Sequence, residues 1–206
     1  FMSTGRGKLK RVLVTSAAPQ EGKSMTAIGI SAAMAAAGNR VLIVDTDMRR
    51  PRLHRSMGVS NEQGVSTVLL GESPLEQAVK STEIAGLYVL PCGPVPPNPA
   101  ELLHSEKFRA LLDQLSERYD LVVLDSPPVI AAADAAVLSR SVDGVIFVAR
   151  FKKTTKELAK RMLRSLRDID APLLGAVLND VDLESRAYGY YSYKRYGYYG
   201  DTPASS

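Results

Sequence analysis

Six short apolar runs limit what this chain can fold into: "RVLVTS" (11–16), "RVLIVD" (40–45), "LYVLP" (87–91), "LVVLD" (121–125), "GVIFVA" (144–149) and "LLGAVL" (173–178). They are rich in Val, Ile and Leu and almost unbroken, whereas a half-exposed strand would alternate with polar residues. Strands covered on both faces, as in a parallel sheet, fit that pattern. Between the runs lie segments with helical spacing: 22–37, ending at Gly38, then 105–118, 134–140 and 154–169. Strand–helix alternation predicts βαβ units and an α/β fold, a doubly wound, mostly parallel sheet with helices on both faces. Such sheets bind ligands at the carboxyl ends of their strands. A length of 206 residues allows one domain with a full core. We expect that domain over 1–182 and a flexible tail over 183–206. The stretch "PCGPVPPNPAELL" (91–103) reads as a Pro-rich loop leading into a helix.

The first strand runs directly into "VTSAAPQEGKSMTA" and then into the first long helix. Gly22, Lys23 and Ser24 fit the end of the phosphate-loop pattern, with Ala17 where the first glycine usually stands. The sheet is therefore expected to be of P-loop NTPase type. In such a loop successive backbone N–H groups and the helix N-terminus hold phosphate oxygens. Ala18, Pro19, Gln20, Glu21, Gly22, Lys23, Ser24 and Met25 form the candidate ATP-binding segment, with Thr26 as a further phosphate contact. Lys23 reaches the outer phosphates, and the Ser24 hydroxyl is a candidate Mg²⁺ ligand. The "GRG" at 5–7 precedes the strand instead of following it and lacks a third glycine, so it is set aside as a dinucleotide motif.

Two further strands end in carboxylates. "VLIVDTDMRRPRL" delivers Asp45 and Asp47, and "LVVLDSPPV" delivers Asp125. A hydrophobic strand ending in Asp is the Walker B arrangement, which supplies the Mg²⁺ shell directly or through water. Mg²⁺ takes one or two carboxylates, so three near one loop leave a candidate base. Arg49, Arg50 and Arg52 follow at once and suit either phosphate binding or an interface with a neighbouring subunit.

Composition narrows the classes. The formal net charge of +4 is mild, and one cysteine, Cys92, and two histidines, His54 and His104, leave little for disulfides or zinc. No window approaches the roughly 18 apolar residues of a membrane span. The chain begins on Phe1 and reads as a piece of something longer. Seven of its nine tyrosines crowd into "YGYYSYKRYGYY", as Tyr188, Tyr190, Tyr191, Tyr193, Tyr196, Tyr198 and Tyr199. Three basic residues near them, Arg186, Lys194 and Arg195, are offset by Glu184 and Asp201, a weak footprint for nucleic acid, which is not expected as a partner.

Taken together, "AAPQEGKS", "LIVDTDMR" and "VVLDSPP", in that order, resemble the Walker A, Walker A′ and Walker B motifs of bacterial tyrosine kinases (BY-kinases). These belong to the broader class of septum-site and plasmid-partition ATPases. "PPNPAELL" (96–103) and the tyrosine cluster add to the likeness, which covers nearly the whole chain. The resemblance implies ATP- and Mg²⁺-dependent autophosphorylation of the cluster, and phosphorylation of other protein tyrosines. It implies control of capsule or exopolysaccharide production through a membrane activator, fused N-terminally or separate, and homo-oligomerisation of the full-length protein. The domain would then be cytoplasmic, at the bacterial inner membrane. Lys23 would bind phosphate and Ser24 the metal, Asp45 would be the base, and Asp47 and Asp125 would sit in the metal's shell, with all four acidic and basic groups catalytic. Asn179 matches a position that contacts adenine in related ATPases. Two departures stand out: the family's Glu-x-x-Arg-x-x-Arg oligomerisation motif is absent, and Gln20 replaces a usual glycine. The alternative is a partition or septum-site switch without kinase activity. Such proteins carry an extra lysine early in the phosphate loop, which "SAAPQEG" lacks. Each added phosphate contributes about −1.5 to −2 charges, so full modification of the cluster would overwhelm the positive chain.

Overall fold

The computed structural model describes residues 3–4, 7–131 and 134–182. The tyrosine cluster and the rest of 183–206 lie outside the described residues. A small antiparallel hairpin, β1 (Ser3–Thr4) and β2 (Gly7–Lys8), precedes the main sheet. That sheet is built from β3 (Arg11–Ser16), β4 (Val41–Asp45), β5 (Lys80–Ser81), β6 (Leu87–Leu90), β7 (Leu121–Asp125), β8 (Gly144–Arg150) and β9 (Leu173–Asn179). Their order is β5-β6-β4-β7-β3-β8-β9, parallel throughout except for the β5–β6 pair. This is the expected doubly wound sheet.

The continuous apolar runs are explained by a core on each face. Leu13, Leu42, Val44, Val122 and Leu124 point to one side and Val12, Val14, Ile43, Val123 and Val148 to the other, all 2% exposed or less. The first side is covered by α6 (Glu106–Arg118) and α8 (Lys156–Arg167). Phe108, Leu111, Leu112 and Leu115 repeat at helical spacing and bury one stripe of α6. Ser105 starts that helix by accepting the Phe108 N–H at 3.2 Å, and Thr155 does the same for Leu158 ahead of α8. On the other side the Ala-rich α1 (Lys23–Ala36) packs close through Ala27 and Ala35 and stops before Gly38, whose φ of 87° needs no Cβ. Tyr88 and Tyr119, the two tyrosines outside the tail, pack with ring centroids 5.5 Å apart beneath the Arg40 guanidinium.

The segment 53–81 holds elements that periodicity does not announce. These are α2 (Leu53–Ser56), α3 (Val65–Leu70), α4 (Leu75–Ala78) and the antiparallel β5. The Pro-rich stretch does lead into a helix, α5 (Pro99–His104). A 3₁₀ turn (Val129–Ala131) and α7 (Asp134–Ser139) follow β7. One expectation needs correcting: β9 is not covered on both faces. It forms a sheet edge, Gly175 and Ala176 are exposed and Leu178 is 51% exposed. Register brings the functional strand ends level, since Asp125 pairs with Asp45 on one side and with Val14 of β3 on the other.

Candidate active site

The phosphate loop spans the gap between β3 and α1 at the carboxyl edge of the sheet. Gly22 precedes the helix in the left-handed region (φ 91°, ψ 17°), and no side chain caps α1. The helix N-terminus is thus left for an anion. The left-handed φ requires glycine there, and a Cβ would also push the Asn179 amide out of its place against the loop. Ala17, in place of the first glycine, is fully buried and its methyl belongs to the core. Gln20 is also left-handed (φ 63°), the conformation that explains a usual glycine, but its side chain is exposed and does not crowd the loop. The Thr26 hydroxyl donates to the Gly22 carbonyl at 3.0 Å, steadying the loop instead of facing a ligand.

One flank of the loop is braced by the ends of β8 and β9. Glu21 is 1% exposed. Its Oε2 accepts the Ala18 N–H at 2.8 Å and its Oε1 the Thr154 hydroxyl, whose oxygen in turn accepts the Arg150 N–H at 2.8 Å. The Arg150 guanidinium pairs with Asp180 at 2.7 Å and reaches the Gln20 carbonyl at 3.3 Å. Lys153 Nζ lies 3.3 Å from the Pro19 carbonyl oxygen. Asn179 Nδ2 donates to the Glu21 carbonyl at 3.1 Å. Glu21, expected among the ATP-binding residues, therefore turns its carboxylate inward as a brace. Sequence reasoning missed Thr154, Arg150, Lys153 and Asp180, and their distance along the chain left no local signal.

The other flank gathers the predicted charged residues. Lys23 Nζ is 3.1 Å from Asp47 Oδ2 and 3.6 Å from Asp125 Oδ1. Burial alone would lower the Lys23 pKa, but Asp125, Asp47 and Asp45 outweigh it and leave the amine firmly protonated. Asp45 is fully buried, its oxygens accepting the N–H groups of Asp47 and Leu53, both at 3.1 Å. Burial, then the neighbouring Asp125 charge, pushes its carboxyl up to about 8, even against those two hydrogen bonds. Burial also raises the Asp125 pKa, with Lys23 and a hydrogen bond from Ser24 pulling it back. Asp47 Oδ1 accepts the Arg50 N–H at 3.1 Å. Cys92 is buried close by, and desolvation raises its thiol pKa well above the ordinary value, so it is inert.

The donor set also fits Mg²⁺. Asp125 Oδ1 is buried and lacks a hydrogen-bond partner, while Ser24 bonds the same carboxyl group. A hydroxyl and a hard carboxylate oxygen beside a phosphate loop are what this ion takes, with waters and phosphate completing its shell. Among the described residues no three acidic, His or Cys side chains converge to hold a metal by themselves. Asp45 would have to release a backbone hydrogen bond to join in. A cavity of about 520 Å³ opens from here, lined by Lys23, Ser24 and Asp47 together with Met25, Arg49, Arg50, Arg52 and Pro128. Asn179 is not part of its lining.

Comparison with known proteins agrees with this geometry. The family described as an AAA domain (AAA_31) matches residues 20–174. The tyrosine-protein kinase YwqD of Bacillus subtilis is 41% identical over 195 residues, covering 94% of this chain and 82% of that protein. The tyrosine-protein kinase Wzc of Salmonella typhimurium is 34% identical, covering 93% of this chain but only 27% of its own length. Among solved structures, the kinase domain of the Escherichia coli tyrosine kinase ETK superposes with a TM-score of 0.84 at 35% identity, covering 89% of this chain and 71% of that one. The chain thus belongs to the AAA-domain P-loop proteins and, within them, to the bacterial tyrosine-protein kinases.

Proposed function

We propose that this domain transfers the terminal phosphoryl group of ATP to tyrosines of its own cluster, Tyr188 to Tyr199, presented by a neighbouring copy. The observation that carries the reading is the pairing of Lys23 with Asp47 and Asp125 beside a buried Asp45 carboxyl raised to about 8. A tyrosine hydroxyl has a pKa near 10, so it needs a base as it attacks. Asp45, once ionised, accepts that proton. The tyrosine oxygen bonds to phosphorus while the bond to the departing ADP oxygen breaks. Lys23 and the uncapped start of α1 stabilise the phosphate charge. When bound, Mg²⁺ would be held by Ser24 and Asp125, with Asp47 nearby, and would supply further charge neutralisation on the nucleotide. Asn179, which donates to the Glu21 carbonyl of the loop, suits the adenine. Ten extended residues span roughly 35 Å, so a tail starting near 183 is long enough to enter another copy's site.

The wider role follows the family: control of capsule or exopolysaccharide synthesis and export, in the cytoplasm at the inner membrane. No helix among the described residues is long and apolar enough to cross a membrane. The chain spans about a quarter of Wzc and most of YwqD, which is compatible with a membrane activator supplied either in the same polypeptide or by a separate one. The test is to incubate the protein with ATP and Mg²⁺, with the activator present, and map phosphotyrosine by mass spectrometry. Phosphate within 188–199, reduced by about 10² to 10³ in Lys23→Met, is the expected result. ATP hydrolysis without phosphotyrosine would favour the partition-type switch instead.

A further inference from the structure

The chemistry above leaves two cations over. Arg50 and Arg52 line the same cavity as Lys23 and are exposed. Among the described residues their guanidiniums make no hydrogen bond or ion pair; only their backbones are engaged, Arg50 N–H with Asp47 and the Arg52 carbonyl with the start of α2. Lys23, by contrast, is held between two carboxylates. The cavity wall also carries Met25, 63% exposed, and Pro128, an apolar surface suited to an aromatic ring. The same cavity therefore carries Lys23 for the phosphate, an apolar surface for a ring, and two exposed guanidiniums without a side-chain partner among the described residues.

We propose that this cavity is an acceptor subsite that favours tyrosines flanked by an anion, above all by phosphotyrosine, read by Arg50 and Arg52. This rests on the kinase reading. A planar guanidinium matches a phosphate with two parallel hydrogen bonds and a carboxylate likewise, but phosphate carries more charge and a third oxygen. The substrate has the matching spacing. Every tyrosine of the cluster has another no more than two residues away, as in 188–190, 191–193 and 196–198. Two extended residues span roughly 7 Å, a short reach from an acceptor oxygen to a flanking anion. The first phosphate placed on the cluster thus becomes an anchor for the next acceptor. Modification is self-reinforcing: chains accumulate with none or many phosphates, and singly modified ones are scarce.

The test uses the full chain, ATP, Mg²⁺ and synthetic peptides of residues 186–200 with one acceptor tyrosine and the others replaced by Phe. The residue two positions before the acceptor is Phe, Glu or phosphotyrosine. The native protein is expected to use the phosphotyrosine peptide about tenfold better in kcat/KM than the Phe peptide, with Glu between them. In Arg50→Ala/Arg52→Ala the ratio falls towards one, and Arg50→Lys/Arg52→Lys restores part of it, which shows that charge and not fold is lost. Equal use of the three peptides by the native protein overturns the inference while leaving the kinase reading intact. So does a double variant that keeps the ratio and only raises KM for ATP, which would assign the arginines to the nucleotide. Hydrolysis of ATP with no peptide phosphorylated overturns both.

Discussion

Glu21 and Asp125 are each 1% exposed, and they lie on opposite flanks of the phosphate loop. On the β8–β9 side both Glu21 oxygens have partners, and the loop carbonyls of Pro19, Gln20 and Glu21 are held by Lys153, Arg150 and Asn179. On the β4–β7 side Asp125 keeps an oxygen without a hydrogen bond, and two carboxylates, Asp47 and Asp125, share one lysine. Burying a polar group without a partner costs about 1–3 kcal/mol, so the second flank is stable only because the rest of the sheet holds it. The contrast separates shape from chemistry. Satisfied buried groups fix the loop, and unsatisfied ones mark where a cation and phosphates are received.

Breaking the reactive flank should have the largest effect. Asp45→Asn removes the proposed base and is expected to lower phosphotransfer by about 10² to 10⁴. It should also change how stability depends on pH. The folded-state pKa is about 8 and the ordinary carboxyl value is 3.8. Between them the folded chain keeps a proton that the unfolded chain has released, so stability is full below the lower value and is lost as pH rises towards the upper one. The slope contributed is at most about 1.4 kcal/mol per pH unit. Asn has no such proton. Denaturant titrations from pH 5 to 8.5 should therefore show a flatter decline in the variant. Equal slopes would mean that Asp45 is ionised throughout, and the two flanks would then differ less than their hydrogen bonding implies.

The bracing flank should respond in stability first. Glu21→Gln replaces one acceptor oxygen with a donor, facing either the Ala18 N–H or the Thr154 hydroxyl. The expected loss is about 1–3 kcal/mol, or roughly 2–4 °C in Tm per kcal/mol for a chain of this size. KM for ATP should rise more than kcat falls, since the loop is loosened while Asp45 and Lys23 stay in place. Because Glu21 and Thr154 share one hydrogen bond, Thr154→Val added to Glu21→Gln should cost less than the sum of the two, by at least about 0.5 kcal/mol. Strict additivity would mean that the brace does not act as a unit.

How far each flank was legible in the sequence follows the same division. Lys23, Ser24, Asp45, Asp47 and Asp125 were readable because each sits at a strand end or in the loop next to it, and the register of β4 with β7 brings those ends level. Six of the strands, β3, β4 and β6 to β9, were readable from apolarity alone. Glu21 stood in the right segment but its direction did not show, because Thr154 lies 133 residues away. The elements α2 to α4 span only four to six residues each, too short for a 3.6-residue period to appear. The exposure of β9 depends on what lies beside the sheet edge, which its own apolar run does not encode.

The smallest effect is expected at Gln20, on the bracing flank. Its carbonyl is held by Arg150, and its φ of 63° places a non-glycine residue in the left-handed region. That conformation costs about 1–2 kcal/mol for a residue with a Cβ. Gln20→Gly removes the strain but gives the unfolded chain more freedom, which costs about 0.4–1 kcal/mol in return. The weak contact of its amide oxygen with Lys153, at 3.4 Å, adds little. The net change should lie within about 1 kcal/mol, a Tm shift of a few degrees at most. Gln20→Val should fall clearly below both, because a β-branched residue tolerates positive φ poorly. If glycine and valine behave alike, the brace from Arg150 and Lys153 does not hold Gln20 in that conformation, and the loop takes its shape from Glu21 and Gly22 alone.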